Sequence, residues 1–320
     1  MKKILKYNHS DFTPESIIDL KDGHKIIPIF STFGEREADL VCEKIEVLKS
    51  LPPGFVDQIV VNHRRSSIDE DTTEMKLKSL HPDVKLFLSS DIAVSDMGSE
   101  PGKGADMRRT LYRINIDEAD EDPEKVIVIF LDADVVPEYF GEHFATALAG
   151  AVLKGADFAK AGFWREQGRV KKFVAQPIFS LISHPAIKRL SDFSYPLSGE
   201  AAGTLEFFNS VFFWQRYGVE TGILVDALMG GWTAADVNLG LYDHEHHEDA
   251  FIQKMSFGVM RAFFKSLERY GLIAFSAESG ISDVLKYSYI SSNKERCRVE
   301  ESCDELYYQP LNSVLVKGIK

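Results

Sequence analysis

Two aspartates one residue apart, Asp132 and Asp134, directly follow the most apolar run in the chain, residues 126–131. Neighbouring carboxylates need a counter-charge or must take up a proton. A hard divalent cation, Mg2+ or Mn2+, meets that need with oxygen ligands and can bridge a protein carboxylate to a phosphate. There it would neutralise a departing diphosphate. Asp-x-Asp also reads as a strand-ending turn or a helix cap, and taken alone the two readings stand about even. The apolar run ahead of it favours the metal, because ligands of open α/β sheets bind at the carboxyl ends of strands.

Other clusters offer further chemistry. Pro101-Gly102-Lys103-Gly104 opens a helix-like segment, and glycines with a lysine at a helix N-terminus can receive an anion. It is not a phosphate-loop signature, since Met97 and Gly104 occupy positions where that motif needs Gly and Ser or Thr. Gly-Lys-Gly by itself reads as a flexible turn. The run Asp243 to Asp249 contains His244, His246 and His247 but no HExxH. Such a run usually forms a solvated loop, although one His can complete a carboxylate metal site. Gly168-Arg169-Val170-Lys171-Lys172 is a basic patch whose Arg could clamp phosphate or carboxylate. Glu220 falls near the start of a helix-like segment, where the dipole alone stabilises a carboxylate.

The elements that must position these residues follow from hydrophobic periodicity. Strands are expected over 25–30, 56–61, 84–88 and 125–131, with helices over 34–50, 69–80 and 103–117. This alternation predicts an α/β fold with a doubly wound sheet, and the run 125–131 reads as a central parallel strand covered on both faces. The second half is more irregular. Strands are expected over 156–163 and 234–241, helices over 171–183, 218–229 and 249–270, and a peripheral tail from residue 293. With no repeat or linker in its 320 residues, the chain reads as a single domain with two halves, 1–150 for the nucleotide and 151–320 for the acceptor.

A formal charge of −12 argues against nucleic-acid binding. Cys42, Cys297 and Cys303 form no CxxC pair, which suits a reducing cytoplasm. The N-terminus has no apolar signal region, and no run approaches the roughly 18 residues of a membrane span. Neither a signal peptide nor a membrane partner is therefore expected.

In order along the chain, Pro28 with Glu35, Gly102-Lys103-Gly104, Asp132-Ala133-Asp134, Gly168-Arg169-Val170, Pro196-Leu197-Ser198-Gly199-Glu200, the run from Tyr217-Gly218-Val219-Glu220 to Asp226, and Val237-Asn238-Leu239-Gly240 resemble one family over roughly residues 25–270. It is that of the glucosyl-3-phosphoglycerate synthases and the related mannosyl-3-phosphoglycerate and mannosylglycerate synthases. The resemblance implies a GT-A fold and retaining transfer of a hexose from a nucleotide diphosphate sugar (a UDP-, GDP- or ADP-hexose) to 3-phosphoglycerate or a similar small hydroxy acid. It implies that Pro28, Ile29, Phe30 and Glu35 line the nucleoside pocket, and that Lys103, Asp132 and Ala133 meet the donor. Asp134 and His244 would bind Mg2+ or Mn2+, supported by Asp132. Gly168 and Arg169, with Lys171 beside them, would hold a small anionic acceptor. Leu197 and Glu220 would flank the transferring carbon. The resemblance also admits a homodimer. The chain departs from the family pattern at Asn62-His63-Arg64-Arg65, at Lys171 and at Tyr242, which stands in place of an Arg. Two other classes remain open: a sugar-nucleotide nucleotidyltransferase, although Ser31 to Arg36 is poor in glycine for one, and a non-catalytic nucleotide-sugar-binding protein.

Overall fold

The computed structural model describes residues 2–164, 168–243, 249–276 and 278–318. The strands are β1 (Leu5–Asn8), β2 (Lys25–Phe33), β3 (Val60–Arg64), β4 (Lys85–Leu88), β5 (Val126–Asp132), β6 (Phe158–Trp164), β7 (Ala201–Thr204), β8 (Phe213–Trp214), β9 (Ala234–Leu241), β10 (Val284–Ile290), β11 (Arg296–Ser302) and β12 (Tyr307–Tyr308). The α-helices are α1 (Pro14–Leu20), α2 (Ala38–Lys49), α3 (Thr72–Leu80), α4 (Lys103–Asp117), α5 (His143–Leu153), α6 (Gln176–Leu181), α7 (Leu205–Ser210), α8 (Val219–Met229), α9 (Asp249–Arg269) and α10 (Asn312–Gly318). Among the described residues, no helix is long and apolar enough to cross a membrane.

Eight strands form one sheet in the order β1-β9-β6-β7-β5-β2-β3-β4. β5 alternates its side chains between two cores. Val126, Val128 and Phe130 pack with Leu111, Ile114, Leu224 and Phe263. Ile127, Ile129 and Leu131 pack on the other face with Val41, Ile45, Phe144 and Leu148. Both faces are covered, as the apolar run predicts, and this drives its burial. The expected parallel pairing of β5 holds on one side only. β5 is parallel to β2 but antiparallel to β7, which also runs antiparallel to β6. The sheet is therefore mixed, and strands from residues 1–150 and 151–320 share it. The strand expected at 56–61 starts later, because Asp57 turns the chain and its carboxylate accepts from the Ile26 amide at 2.7 Å.

The tail is not peripheral, contrary to the expectation from its charge. β10 and β11 form an antiparallel hairpin, and β12 then pairs with β8. Leu311 is fully buried in the same core as β5. Arg108, itself buried, donates to the Gln309 carbonyl at 2.8 Å and lies over the Tyr308 ring. Leu311→Ala should therefore destabilise the protein by about 2–5 kcal/mol in urea denaturation, the usual effect of a buried leucine truncation. A peripheral tail would leave the midpoint unchanged.

Candidate active site

A cleft of about 630 Å³ opens at the carboxyl ends of β2 and β5, between α4, α8 and α9. Lys103, the first residue of α4, forms its charged centre. The ammonium lies 2.5 Å from Asp132 Oδ1 at the end of β5 and 3.2 Å from Glu220 Oε1 in the first turn of α8. Burial works to lower the Lys103 pKa, but Asp132 and Glu220 outweigh it and raise the value. The lysine is therefore charged at neutral pH.

Glycines permit this convergence. A Cβ on Gly102, where φ is +140°, would lie 2.4 Å from the Gln215 carbonyl oxygen. One on Gly104 would lie 1.8 Å from the Trp214 carbonyl oxygen. Gly-Lys-Gly is thus required for α4 to approach the backbone ahead of α8, rather than being only a flexible turn. A Cβ on Gly199 would lie 1.9 Å from Asp132 Oδ2, so the Pro-Leu-Ser-Gly-Glu segment closes directly over the aspartate.

Behind this centre lies a buried polar layer. Glu200 accepts from the Tyr242 hydroxyl at 3.1 Å and the Ser198 hydroxyl at 3.2 Å. Burial and the nearby Asp132 raise its pKa. Lys160, also buried, donates to the Ser198 carbonyl, and burial pushes its pKa down to about 8. Tyr242 stacks on Phe163 at 4.0 Å and lines the cleft, so a neutral aromatic group stands at this departure from the family pattern. Glu37 accepts from the Phe33 amide at 3.1 Å. Burial, with Asp134 and Asp132 adding to it, pushes its pKa up to about 7.

The structure brings Lys103, Asp132, Ala133, Asp134, Gly168, Arg169, Lys171, Leu197 and Glu220 to one cleft. Arg169 pairs with Asp249 at the start of α9, and the Lys171 ammonium lies 4.6 Å from the Tyr195 ring centre. Four expected donor contacts are placed elsewhere. Pro28, Ile29 and Phe30 are buried in β2, with Ile29 and Phe30 in opposite cores, because alternation turns them into the protein. Glu35 accepts from the Thr72 amide and hydroxyl instead. The end of β2, Ser31, Thr32 and Phe33, lines the cleft with Glu37 beyond it. His244 lies outside the described residues.

The basic departure at the end of β3 is consumed locally. His63 bonds Thr32 and Asp71, Arg64 pairs with Asp106 at 2.5 Å, and Arg65 pairs with Glu74 at 2.6 Å. Sequence reasoning misses Arg216, Tyr217, Met255 and Val259 in the cleft wall. Tyr217 opens the Tyr-Gly-Val-Glu motif, and the last two share a face of α9 at helical spacing.

The donor set suits a divalent cation in one respect. Asp132 and Asp134 offer hard oxygens at a strand end, and a diphosphate and water would supply the remaining positions. Among the described residues no group of three His, Cys, Asp or Glu side chains is poised to hold a metal. Asp132 is already engaged by Lys103.

The mixed sheet with its cleft at the carboxyl edge of β2 and β5 is the architecture of the GT-A class. Mannosyl-3-phosphoglycerate synthase from Rubrobacter xylanophilus superposes with a TM-score of 0.81 at 26% identity, covering 97% of each chain. Glucosyl-3-phosphoglycerate synthase from Mycobacterium tuberculosis, in complex with Mn2+, UDP and phosphoglyceric acid, superposes with a TM-score of 0.73 at 25% identity, over 94% of this chain and 95% of that one. The glucosyl-3-phosphoglycerate synthase of Petrotoga mobilis is 30% identical over 293 residues, 85% of this chain and 83% of that protein. No protein-family model matches the sequence. The chain belongs to the glucosyl-3-phosphoglycerate synthase family.

Burial holds Glu305, in the wall behind α8, at a pKa of about 7, above the ordinary carboxylate value, against the lowering effect of the Gly218 and Arg216 amides. A raised carboxylate keeps its proton in the folded state after the unfolded chain has lost it. Its contribution to stability is complete below the ordinary carboxylate pKa and is lost as pH rises through about 7. Glu305→Gln should therefore gain stability relative to the parent between about pH 5 and about pH 8. Urea midpoints of the two proteins across that range check this, and a pH-independent difference contradicts it.

Proposed function

We propose that this protein is a metal-dependent, retaining hexosyltransferase that moves a hexose from a nucleotide diphosphate sugar to 3-phosphoglycerate or a closely similar hydroxy acid. The observation that carries the reading is Lys103, charged and clamped between Asp132 and Glu220 on the cleft floor. A cation fixed by the fold stabilises charge developing on a leaving diphosphate without reorganisation. The relative from Mycobacterium tuberculosis, in complex with UDP and phosphoglyceric acid, makes UDP-glucose and 3-phosphoglycerate the first pair to test. GDP- and ADP-hexoses follow.

Asp134 would hold Mg2+ or Mn2+, with His244 as its second protein ligand and Asp132 in support. The metal supplies Lewis-acid neutralisation of the diphosphate. Ser31 to Phe33 and Glu37, rather than the buried Pro28 to Phe30, form the nucleoside wall. Arg169, with Gly168 and Lys171, receives the acceptor's anionic group, exchanging its contact with Asp249 for the ligand. The acceptor hydroxyl attacks the anomeric carbon on the face from which the diphosphate leaves, and its proton passes to a leaving phosphate oxygen. Glu220 and Leu197 orient the acceptor, and the Glu220 carboxylate shields positive charge at that carbon. Residues 1–150 serve chiefly the donor and 151–320 the acceptor, in a cytoplasmic protein that pairs as a homodimer.

The test is transfer from UDP-glucose to 3-phosphoglycerate with Mn2+, followed by NMR of the product. An α-linked product is expected, EDTA should abolish turnover, and Asp134→Ala should lower kcat/KM by roughly 100-fold or more. A β-linked product or full turnover in EDTA overturns the mechanism. Pyrophosphate release from a nucleoside triphosphate would identify a nucleotidyltransferase, and donor binding without transfer or hydrolysis would identify a sensor.

A further inference from the structure

The C-terminal segment reaches the cleft through one buried carboxylate. Glu305 is 4% exposed. Its Oε1 accepts from the Arg216 amide at 2.7 Å and the Gly218 amide at 2.9 Å. These amides immediately precede α8, the helix that carries Glu220. Space for the carboxylate depends on two glycines: a Cβ on Gly218 would lie 3.2 Å from Oε1, and one on Gly258 would lie 3.3 Å from Oε2. Arg261 fixes the same segment by donating to the Glu305 carbonyl at 2.9 Å.

The neighbouring residue extends the connection to Lys103. Gln215 exchanges backbone and side-chain bonds with Leu306, its amide donating to the Leu306 carbonyl at 2.8 Å and its Oε1 accepting from the Leu306 amide at 3.2 Å. Gln215 Nε2 donates to the Pro101 carbonyl at 2.8 Å, and the Gln215 carbonyl accepts from the Ala105 amide at 3.1 Å. The tail thus braces both the turn before Glu220 and the loop that presents Lys103.

Between these braces stands Arg216. Its backbone is pinned by Glu305, its stem lies against Gly102 and its side chain lines the cleft. The other arginines of the cleft wall, Arg64 and Arg169, are paired with Asp106 and Asp249. The Arg216 guanidinium has no ion pair among the described residues. A cation held by its backbone and unneutralised by protein carboxylates suits a phosphate oxygen.

We propose that Glu305 is a positioning residue for the transfer reaction: it fixes the Arg216–Gly218 turn, so that Arg216 meets a phosphate group of the substrates and Glu220 stays beside Lys103. This rests on the transferase reading above. Two sources share the ligand chemistry, the donor diphosphate and the acceptor phosphate.

Steady-state kinetics of Arg216→Ala, Glu305→Ala, Glu305→Gln and the double variant Glu305→Ala/Arg216→Ala test it, with Tm measured alongside. Arg216→Ala should raise one KM by about tenfold, that of the donor if it meets the diphosphate and that of the acceptor if it meets the acceptor phosphate. Glu305→Ala should raise the same KM and lower kcat. Glu305→Gln, which keeps an oxygen acceptor, should restore most of both, and the KM effect of Glu305→Ala should shrink when Arg216 is already absent. The proposal is overturned if Glu305→Ala lowers Tm yet keeps kcat and both KM values within about twofold of the parent, or if the two KM effects multiply in full. A parent protein without transfer activity would sink the transferase reading instead. Calorimetric titration of the same variants with UDP and Mn2+ and, separately, with 3-phosphoglycerate would then decide the positioning role, unchanged affinity for both ligands in Glu305→Ala and Arg216→Ala overturning it.

Discussion

The site depends on one ammonium shared by two carboxylates. Lys103, Asp132 and Glu220 come from three different elements, α4, the end of β5 and α8. Each charge would be costly alone in a partly desolvated cleft, whereas together the shared ammonium offsets one of the two carboxylate charges and leaves the trio with one net negative charge. That requirement fixes the approach of α4 and α8 to the sheet edge. It also explains glycines at 102, 104 and 199, where any side chain would enter a backbone carbonyl or the Asp132 carboxylate.

Around this cluster the protein shifts the pKa values of further ionisable groups. Burial raises the pKa of Glu200 and lowers that of Lys160 to about 8, so the carboxyl is pushed towards its protonated form while the lysine remains largely charged at neutral pH. Tyr242 donates to Glu200 and stacks on Phe163, closing the back of the cleft with a hydrogen-bonded aromatic ring. Stability and binding therefore draw on the same arrangement: the ammonium that offsets the Asp132 and Glu220 carboxylates is the group held in place for the proposed diphosphate.

Some of this is legible in the sequence, and physical reasons conceal the rest. β5 and its terminal aspartates are plain, because an all-apolar run ending in charges fits a buried strand that reaches the sheet edge. α4 and β9 are equally clear, since both carry continuous patterning. α5 is hidden because His143–Leu153 is apolar all round and has no amphipathic period. β7, only four residues long, gives no hint of its antiparallel direction. The tail reads as peripheral because β10 and β11 are largely exposed, while Glu305 and Leu311 just beyond them are buried. Motif resemblance places nine site residues in the cleft, yet the Pro28 to Phe30 side chains face the cores, since strand alternation decides where a motif's side chains point. Arg64 shows the converse: a cation beside the nucleoside strand reads as a change in ligand chemistry, but Asp106 neutralises it within the fold.

Lys103 is the group assigned to stabilise charge on the departing diphosphate. The kcat of Lys103→Gln in metal-saturated transfer from UDP-glucose to 3-phosphoglycerate tests that assignment. Loss of one pre-organised stabilising donor predicts a fall in kcat of about 100-fold or more. A kcat equal to that of the parent would show that the stabilisation comes from elsewhere in the site.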